Sequence, residues 1–293
     1  MVAGSINTKI DNHHEDAKID NHRDNPSPPP ERIAIVRWTA GLGAVTAEAL
    51  AEHLGVSVAS ARGRLLAAES ERLLKRRRLL TGRPALFTVT RAGLRAAGVA
   101  GLGTCRVSAS NTLHLIECAR AAAVLERCYP DHWVQGEREL RSEERERRCA
   151  LASAELGGGT HGDRSRETRD FDRSQETLAF SSHPRFGQHP RFGQPRHHPD
   201  LVLWPKDLDG GLPVAVEVEL TVKAPERLAA ICRAWARARC VAGVLYIAAP
   251  NVERAVQRAI DRAHADGRVV VVPLDALLER PASPAERTVP SSA

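Results

Sequence analysis

The run Val214-Ala-Val-Glu-Val-Glu-Leu-Thr-Val222 restricts the fold of this chain more than any other segment. Nine residues without a turn former, rich in β-branched side chains, predict a strand. Successive side chains of a strand alternate between its two faces. Val214, Val216, Val218, Leu220 and Val222 therefore share one face, and Ala215, Glu217, Glu219, Thr221 and Lys223 share the other. Two carboxylates point the same way from a segment that otherwise reads as core, and burying carboxylates without partners is costly. Either the strand runs along a solvated sheet edge, or the acids meet a cation. Mg²⁺ is a natural partner, because it takes one or two carboxylates together with water and substrate phosphate. Asp200, with sixteen residues between it and Glu217, opens the short apolar stretch Asp200–Trp204. It can complete a metal cluster of Asp200, Glu217 and Glu219.

The flanking pattern supplies the rest of a sheet. Leu115, Cys118, Ala119, Ala122 and Leu125 line one face of a predicted helix, and Trp133–Leu140 reads as a strand. Pro225 opens a helix carrying Leu228, Ile231, Cys232 and Trp235 at i, i+3, i+4 and i+7. Val241–Ala248 reads as a buried strand. Asn251 caps a helix with Val252, Val256, Ala259 and Ala263 on one face, and Val269–Val272 is a last strand. From about residue 110 the order is α, β, β, β, α, β, α, β, which predicts a mixed sheet with helices packed on it.

Residues 31–103 read as one small domain. Thr46 caps a helix whose Ala47, Leu50, Ala51 and Leu54 repeat with helical spacing, and Gly55 ends it. Ser57 caps the next helix. Two short apolar runs around Thr81-Gly-Arg-Pro84 then predict a β-hairpin, and Thr90 caps a last short helix. A capped helix, a tight turn and a second helix have the spacing of a helix-turn-helix. In that motif the N-terminal residues of the second helix lie near bases, which singles out Ser57, Ser60, Arg62 and Arg64. The hairpin adds Lys75, Arg76, Arg77 and Arg78, with Arg83 at its tip. A basic hairpin beside such a helix is an electrostatic footprint for DNA phosphates. The alternative use of such a unit is protein contact or dimerisation, and a homodimer is compatible with it.

Composition adds exclusions. Net charge is +6, from 42 Lys+Arg against 36 Asp+Glu, which agrees with a nucleic-acid partner without requiring one. Aromatics are 4%, so the core must be built from Ala, Val, Leu and Ile. No apolar run approaches the roughly 18 residues of a membrane span, and the N-terminus lacks a signal pattern. The expectation is a cytoplasmic protein with free thiols and no membrane partner. None of the six cysteines forms a C-x-x-C pair. No P-loop, dinucleotide-binding glycine pattern or Gly-x-Ser-x-Gly elbow occurs, so those enzyme classes have no support.

Three segments are expected to lack packed structure. Residues 1–30 are polar and carry Lys-Ile-Asp-Asn-His twice, at 9–13 and 18–22. Residues 141–198 run from the charge cluster Glu143–Arg148 through three glycines to the tandem His-Pro-Arg-Phe-Gly-Gln at 183–188 and 189–194. They read as a flexible insertion. Residues 281–293 read as a polar tail. The domain division is therefore 31–103 and 104–280.

Three resemblances sharpen this reading. Thr46-x-x-x-Leu50-Ala51-x-x-Leu54-Gly55-Val56-Ser57, the basic hairpin and Phe87-Thr88-Val89-Thr90-x-x-Gly93 resemble the winged helix-turn-helix family. Pro199-Asp200 and Glu217, in this order of elements, resemble the PD-(D/E)xK superfamily of restriction-endonuclease-like folds. That resemblance implies metal ligation by Asp200, Glu217 and Glu219, with Mg²⁺ activating water for phosphodiester hydrolysis. Glu219 stands where the superfamily usually has its lysine. Lys223 is the nearby lysine, about 13 Å further along a straight strand at roughly 3.3 Å per residue. It reaches the same place only if the chain bends near Ala224-Pro225, and from there it could contact a phosphate. Together, the winged unit and Glu-x-Glu-Leu-Thr-x-Lys-x-Pro-Glu-Arg-Leu resemble the replication-relaxation family. That resemblance implies a double-stranded DNA partner and a role in plasmid or mobile-element replication or DNA relaxation. It leaves open a Mg²⁺-dependent endonuclease or nickase, or a non-catalytic regulator or accessory factor on a degenerate nuclease fold.

Weaker candidates complete the set. His197 and His198 lie beside Asp200 and could serve as a general base or as bystanders. Glu117 is a candidate further ligand from the helix, and Glu137 and Glu139 sit similarly on the preceding strand. Arg227, Arg233, Arg237 and Arg239 give the helix after the site a basic side.

Overall fold

The structure, a computed structural model, describes residues 27–156, 198–207 and 211–279. The pentamer repeats, the tandem hexamers and the C-terminal tail lie outside the described residues. No helix among those described is long and apolar enough to cross a membrane.

The first part is helical with a small antiparallel sheet. Its elements are α1 (Pro30–Leu42), β1 (Ala44–Val45), α2 (Ala47–Leu54), α3 (Val58–Ser70), β2 (Leu74–Arg77), β3 (Leu86–Val89) and α4 (Arg91–Ala96). The three strands lie in the order β1-β3-β2. Local chemistry sets the helix ends. The Thr46, Ser57 and Thr90 side chains accept from the backbone N–H groups of Ala49, Ser60 and Gly93. Gly55 closes α2 in the left-handed conformation (φ 63°) that glycine adopts without steric cost. Leu50, Ala61, Leu65, Leu74, Phe87 and Leu94 are core residues here.

The second part is a mixed five-stranded sheet between helices. It runs α5 (Ala109–Cys128), β4 (His132–Gly136), α6 (Glu137–Leu156), β5 (Leu201–Pro205), β6 (Val214–Glu219), α7 (Pro225–Arg237), β7 (Gly243–Ala248), α8 (Glu253–Ala263), β8 (Val269–Pro273) and α9 (Leu274–Leu278). The strands lie side by side in chain order. β4, β5 and β6 pair antiparallel, whereas β6, β7 and β8 pair parallel through the crossover helices α7 and α8. One sheet face packs Ala215, Val244 and Tyr246 against Leu228, Cys232 and Trp235 of α7 and Val256 and Ile260 of α8. The other packs Leu201, Leu203, Val216, Val218 and Ile247 against α5 and α9.

Two expectations are corrected. The strand expected over Trp133–Leu140 ends at Gly136, and Glu137 and Glu139 stand in the first turn of α6. The expected flexible insertion also begins later, because α6 continues to Leu156 through the charge cluster. Straight-chain Glu and Arg are good helix formers, and Glu137 pairs with Arg141 at 2.5 Å with the favourable i, i+4 spacing. The Gly136 N–H donates to Glu139 Oε2 at 3.1 Å, the reach-back contact of a capped helix start.

The turn at Gly136 is also where the two parts meet. A Cβ on Gly136 would lie 2.5 Å from the Gly41 carbonyl oxygen, and one on Gly41 would lie 2.7 Å from the Glu139 carboxyl. Arg138 donates to the carbonyls of Ala40 (3.2 Å), Leu102 (3.1 Å) and Gly103 (2.9 Å). Glu126 of α5 accepts from Trp38 Nε1 at 3.2 Å and pairs with His53 at 2.6 Å, and the Trp38 and His53 rings stack. Ala119 of α5 belongs to the core of the first part.

Burial at this joint pushes the Glu139 carboxyl up to about 7; the Gly136 hydrogen bond and Arg138 pull the other way, and Glu126 adds to the rise. The folded protein therefore holds this proton more tightly than the unfolded chain does. The resulting stability is full below the ordinary value of 4.5 and is lost as pH rises through about 7. Between pH 5 and pH 8, wild type is expected to lose on the order of 1–2 kcal/mol that Glu139→Gln does not lose. Parallel urea titrations of the two proteins at several pH values read this difference.

Candidate functional site

Glu217 and Glu219 lie on the middle strand of the five, not on a sheet edge. Each is only 4% exposed. The expected alternation holds for residues 214–219. Val216 and Val218 enter the α5 side and Ala215 enters the α7 side, so the two carboxylates also project toward the α7 side. The strand stops at Glu219, before Leu220-Thr221-Val222.

Lys223 is not displaced along an extended strand. The chain turns immediately after Glu219, and Lys223 Nζ donates to Glu219 Oε2. The bend therefore comes earlier than Ala224-Pro225, and it gives the buried Glu219 carboxylate a compensating ammonium group.

Asp200 sits just ahead of β5 and is fixed from several directions. Its Oδ2 accepts the Val218 backbone N–H at 2.8 Å, and its carbonyl accepts the Glu137 N–H at 3.0 Å. Its Oδ1 lies 3.1 Å from His114 Nε2, and Cys118 Sγ lies 3.4 Å from the same nitrogen. His114 and Cys118 are one turn apart on α5. Glu117, 9% exposed, pairs with Arg120 at 3.0 Å on that helix.

The electrostatics join these residues. The hydrogen bond to Asp200 raises the His114 pKa; burial opposes the rise, and the charges of Asp200, Glu137 and Glu219 add to it. Burial pushes the Cys118 thiol well above its ordinary range, with Asp200, Glu137, Glu217 and Glu117 adding to the effect. On the α7 side, burial and then Glu217 raise Cys232 to about 11 and also raise Tyr246.

Among the described residues, the metal-ligating side chains whose donor atoms all lie within 4.8 Å of one another are His114, Cys118 and Asp200. Glu217 and Glu219 do not join that group. The donor set is one nitrogen, one sulfur and one oxygen, whereas Mg²⁺ takes oxygen ligands in near-octahedral geometry. The residues as arranged therefore do not fit a three-carboxylate Mg²⁺ centre.

The weaker candidates fall in several places. His198 pairs with Glu144 of α6 at 3.1 Å, while His197 lies outside the described residues. Arg227, Arg233, Arg237 and Arg239 are all exposed. In the first part, Ser57, Ser60 and Arg62 lie exposed at the start of α3, whose buried side holds Ala61, Leu65 and Ala68. Arg64 is only partly exposed and pairs with Glu31 of α1. Lys75, Arg76 and Arg77 project outward from β2, and Arg78 and Arg83 are exposed in the hairpin turn. Arg76 has Glu69 at 3.6 Å.

Sequence reasoning missed His114 entirely and read Cys118 only as core. The available signal was the His-x-x-x-Cys spacing, which places both side chains on one helix face. Comparison with protein-family models, curated proteins and solved structures yields no match to this chain.

Lys223→Met is expected to strand the Glu219 carboxylate. Removing one partner of a fully buried pair costs about 3–5 kcal/mol; Lys223 is partly exposed, so about 2 kcal/mol is expected here. Adding Glu219→Gln to Lys223→Met should restore most of it. A double-mutant cycle in urea measures this, and a double variant no more stable than Lys223→Met would show that the pair does not hold Glu219.

Proposed function

We propose that this protein binds double-stranded DNA through α3 and the β2–β3 hairpin, acting in the replication or relaxation of plasmid or other mobile DNA. The observation that carries the reading is the exposure of the basic hairpin directly after a capped helix-turn-helix. Thr46, Gly55 and Ser57 fix the two helices, and α3 turns its small apolar residues inward and Ser57, Ser60 and Arg62 outward. Strand β2 buries Leu74 and exposes Lys75, Arg76 and Arg77. The arrangement α1-β1-α2-α3-β2-β3 with the sheet order β1-β3-β2 supports a winged helix-turn-helix. In that geometry α3 enters a major groove and the wing cations meet phosphates. Arg64 is held by Glu31, so its share is smaller than that of Arg62.

Phosphate contacts release counterions, so affinity falls steeply with salt and each lost contact flattens that dependence. Changing Lys75, Arg76, Arg77 and Arg78 together to Ala is expected to weaken duplex binding at least about tenfold and to reduce the salt slope by roughly 3–4. Fluorescence anisotropy with duplex DNA from 50 to 300 mM salt reads both. Binding that is insensitive to salt and to these changes would overturn the reading.

A second reading is phosphodiester cleavage on the same DNA. The buried acids Glu217 and Glu219 and the nuclease-like order of elements read from the sequence raise it, whereas the Lys223–Glu219 pair and the His114–Asp200 contact count against it. The second part then serves as a restriction-endonuclease-like scaffold. Because the side chains do not form a Mg²⁺ cage, the expected outcome with supercoiled plasmid and Mg²⁺ is a gel shift without nicking, alike for wild type and Glu217→Ala. Nicking by wild type alone would place hydrolysis at this strand and make the cleavage reading the correct one.

A further inference from the structure

We propose that His114, Cys118 and Asp200 form a Zn²⁺-binding site, with the fourth tetrahedral position left to water or a substrate oxygen. The geometry is close to what the ion needs. Zinc bonds of about 2.0–2.3 Å to N, O and S place neighbouring donors of a tetrahedron about 3.3–3.6 Å apart. His114 Nε2 is 3.1 Å from Asp200 Oδ1 and 3.4 Å from Cys118 Sγ, and all three donor atoms lie within 4.8 Å. Small shifts of these side chains would admit an ion between them.

The framework is built from both ends. His114 and Cys118 are one turn apart on α5, so their side chains leave the helix on the same side. Asp200 is held by the Val218 N–H on one carboxylate oxygen, and its other oxygen faces His114. A hydrogen-bonded carboxylate that presents one free oxygen is the usual supported ligand of a metal site. A thiolate and a carboxylate together cancel the charge of a dication, and the imidazole adds none.

The donor set selects the metal. Thiolate and imidazole favour borderline ions such as Zn²⁺ over Mg²⁺ and Ca²⁺. Three protein ligands with an open position are the pattern of hydrolytic zinc sites rather than closed structural ones. Solvent reaches the site beside His114, whose side chain is 40% exposed, while Cys118 is buried. The inference does not rest on DNA binding, and it shares only Asp200 with the carboxylates of the cleavage reading.

The test uses the full chain, stripped with chelator and titrated with Co²⁺, whose spectrum reports its ligands. The expected result is one equivalent of Co²⁺ with a thiolate-to-cobalt charge-transfer band and the strong visible bands of a tetrahedral site. Zn²⁺ displaces it and millimolar Mg²⁺ does not. Cys118→Ser abolishes the charge-transfer band, whereas Cys232→Ser, a change at a buried cysteine on the opposite face of the sheet, leaves it. His114→Gln and Asp200→Asn lower affinity by more than the roughly 10–100-fold that loss of a supporting second-shell group costs. Circular dichroism of each stripped variant confirms that it is folded; His114→Gln and Asp200→Asn carry the test if Cys118→Ser does not fold. A wild type that binds no Co²⁺, binds it without a thiolate band, or keeps the band in Cys118→Ser would overturn the assignment. None of these outcomes bears on the hairpin variants in the DNA titration, so the two proposals fail separately.

Discussion

Helix α5 is the element on which the rest of the structure depends. From Ile116 to Leu125 nearly every residue is buried, Arg120 excepted, and Ala119, Ala121, Ala122, Ala123 and Leu125 have essentially no exposure. A helix that is apolar on most of its circumference must be enclosed, and here two different structures enclose it. Ala119 completes the core of the first part, while Ala121, Ala122, Val124 and Leu125 complete one side of the five-stranded sheet. Alanines let both neighbours approach closely, which suits a chain with few aromatic residues. Polar contacts then fix the rotation of α5, since Glu126 takes Trp38 and His53 from the first part.

The same helix brings the site together. Its early turns carry His114, Glu117 and Cys118 to the end of the sheet where β5 begins and β6 ends. The site's acids are balanced in two ways. Glu219 is balanced by a lysine that folds back from the following turn. Asp200 is balanced by backbone and by imidazole. Sheet and helix thus present acid, imidazole and thiol at one place, which neither element could do alone.

Much of this was legible because its causes are local. The caps at Thr46, Ser57 and Thr90, the glycine that ends α2 and the proline that starts α7 each depend on a few neighbouring residues. The alternation of Glu217 and Glu219 likewise follows from strand geometry alone. What escaped depends on distance or on competition. The charge cluster after Leu140 looks like solvated chain, yet its spacing and straight-chain composition make it a helix. Gly136 has no room for a side chain because the Gly41 backbone, far away in sequence, lies against it. Lys223 folds back onto Glu219 because the strand stops there instead of running on to Val222. The pairing of His114 with Asp200 joins residues 86 positions apart, and a single sequence carries no pattern for that.

The shared core bears on how such proteins could be assembled in evolution. A unit that owns its whole interior can be cut out and joined to another partner. The first part here does not own its interior, because Ala119 of α5 completes its core and Ile116 of α5 packs on Ala44 and Leu86. The putting-together of new proteins by exchange of this segment would therefore have to carry α5 along, and with it His114 and Cys118. Any lineage that inherited the first part with its interior intact would also inherit His114 and Cys118.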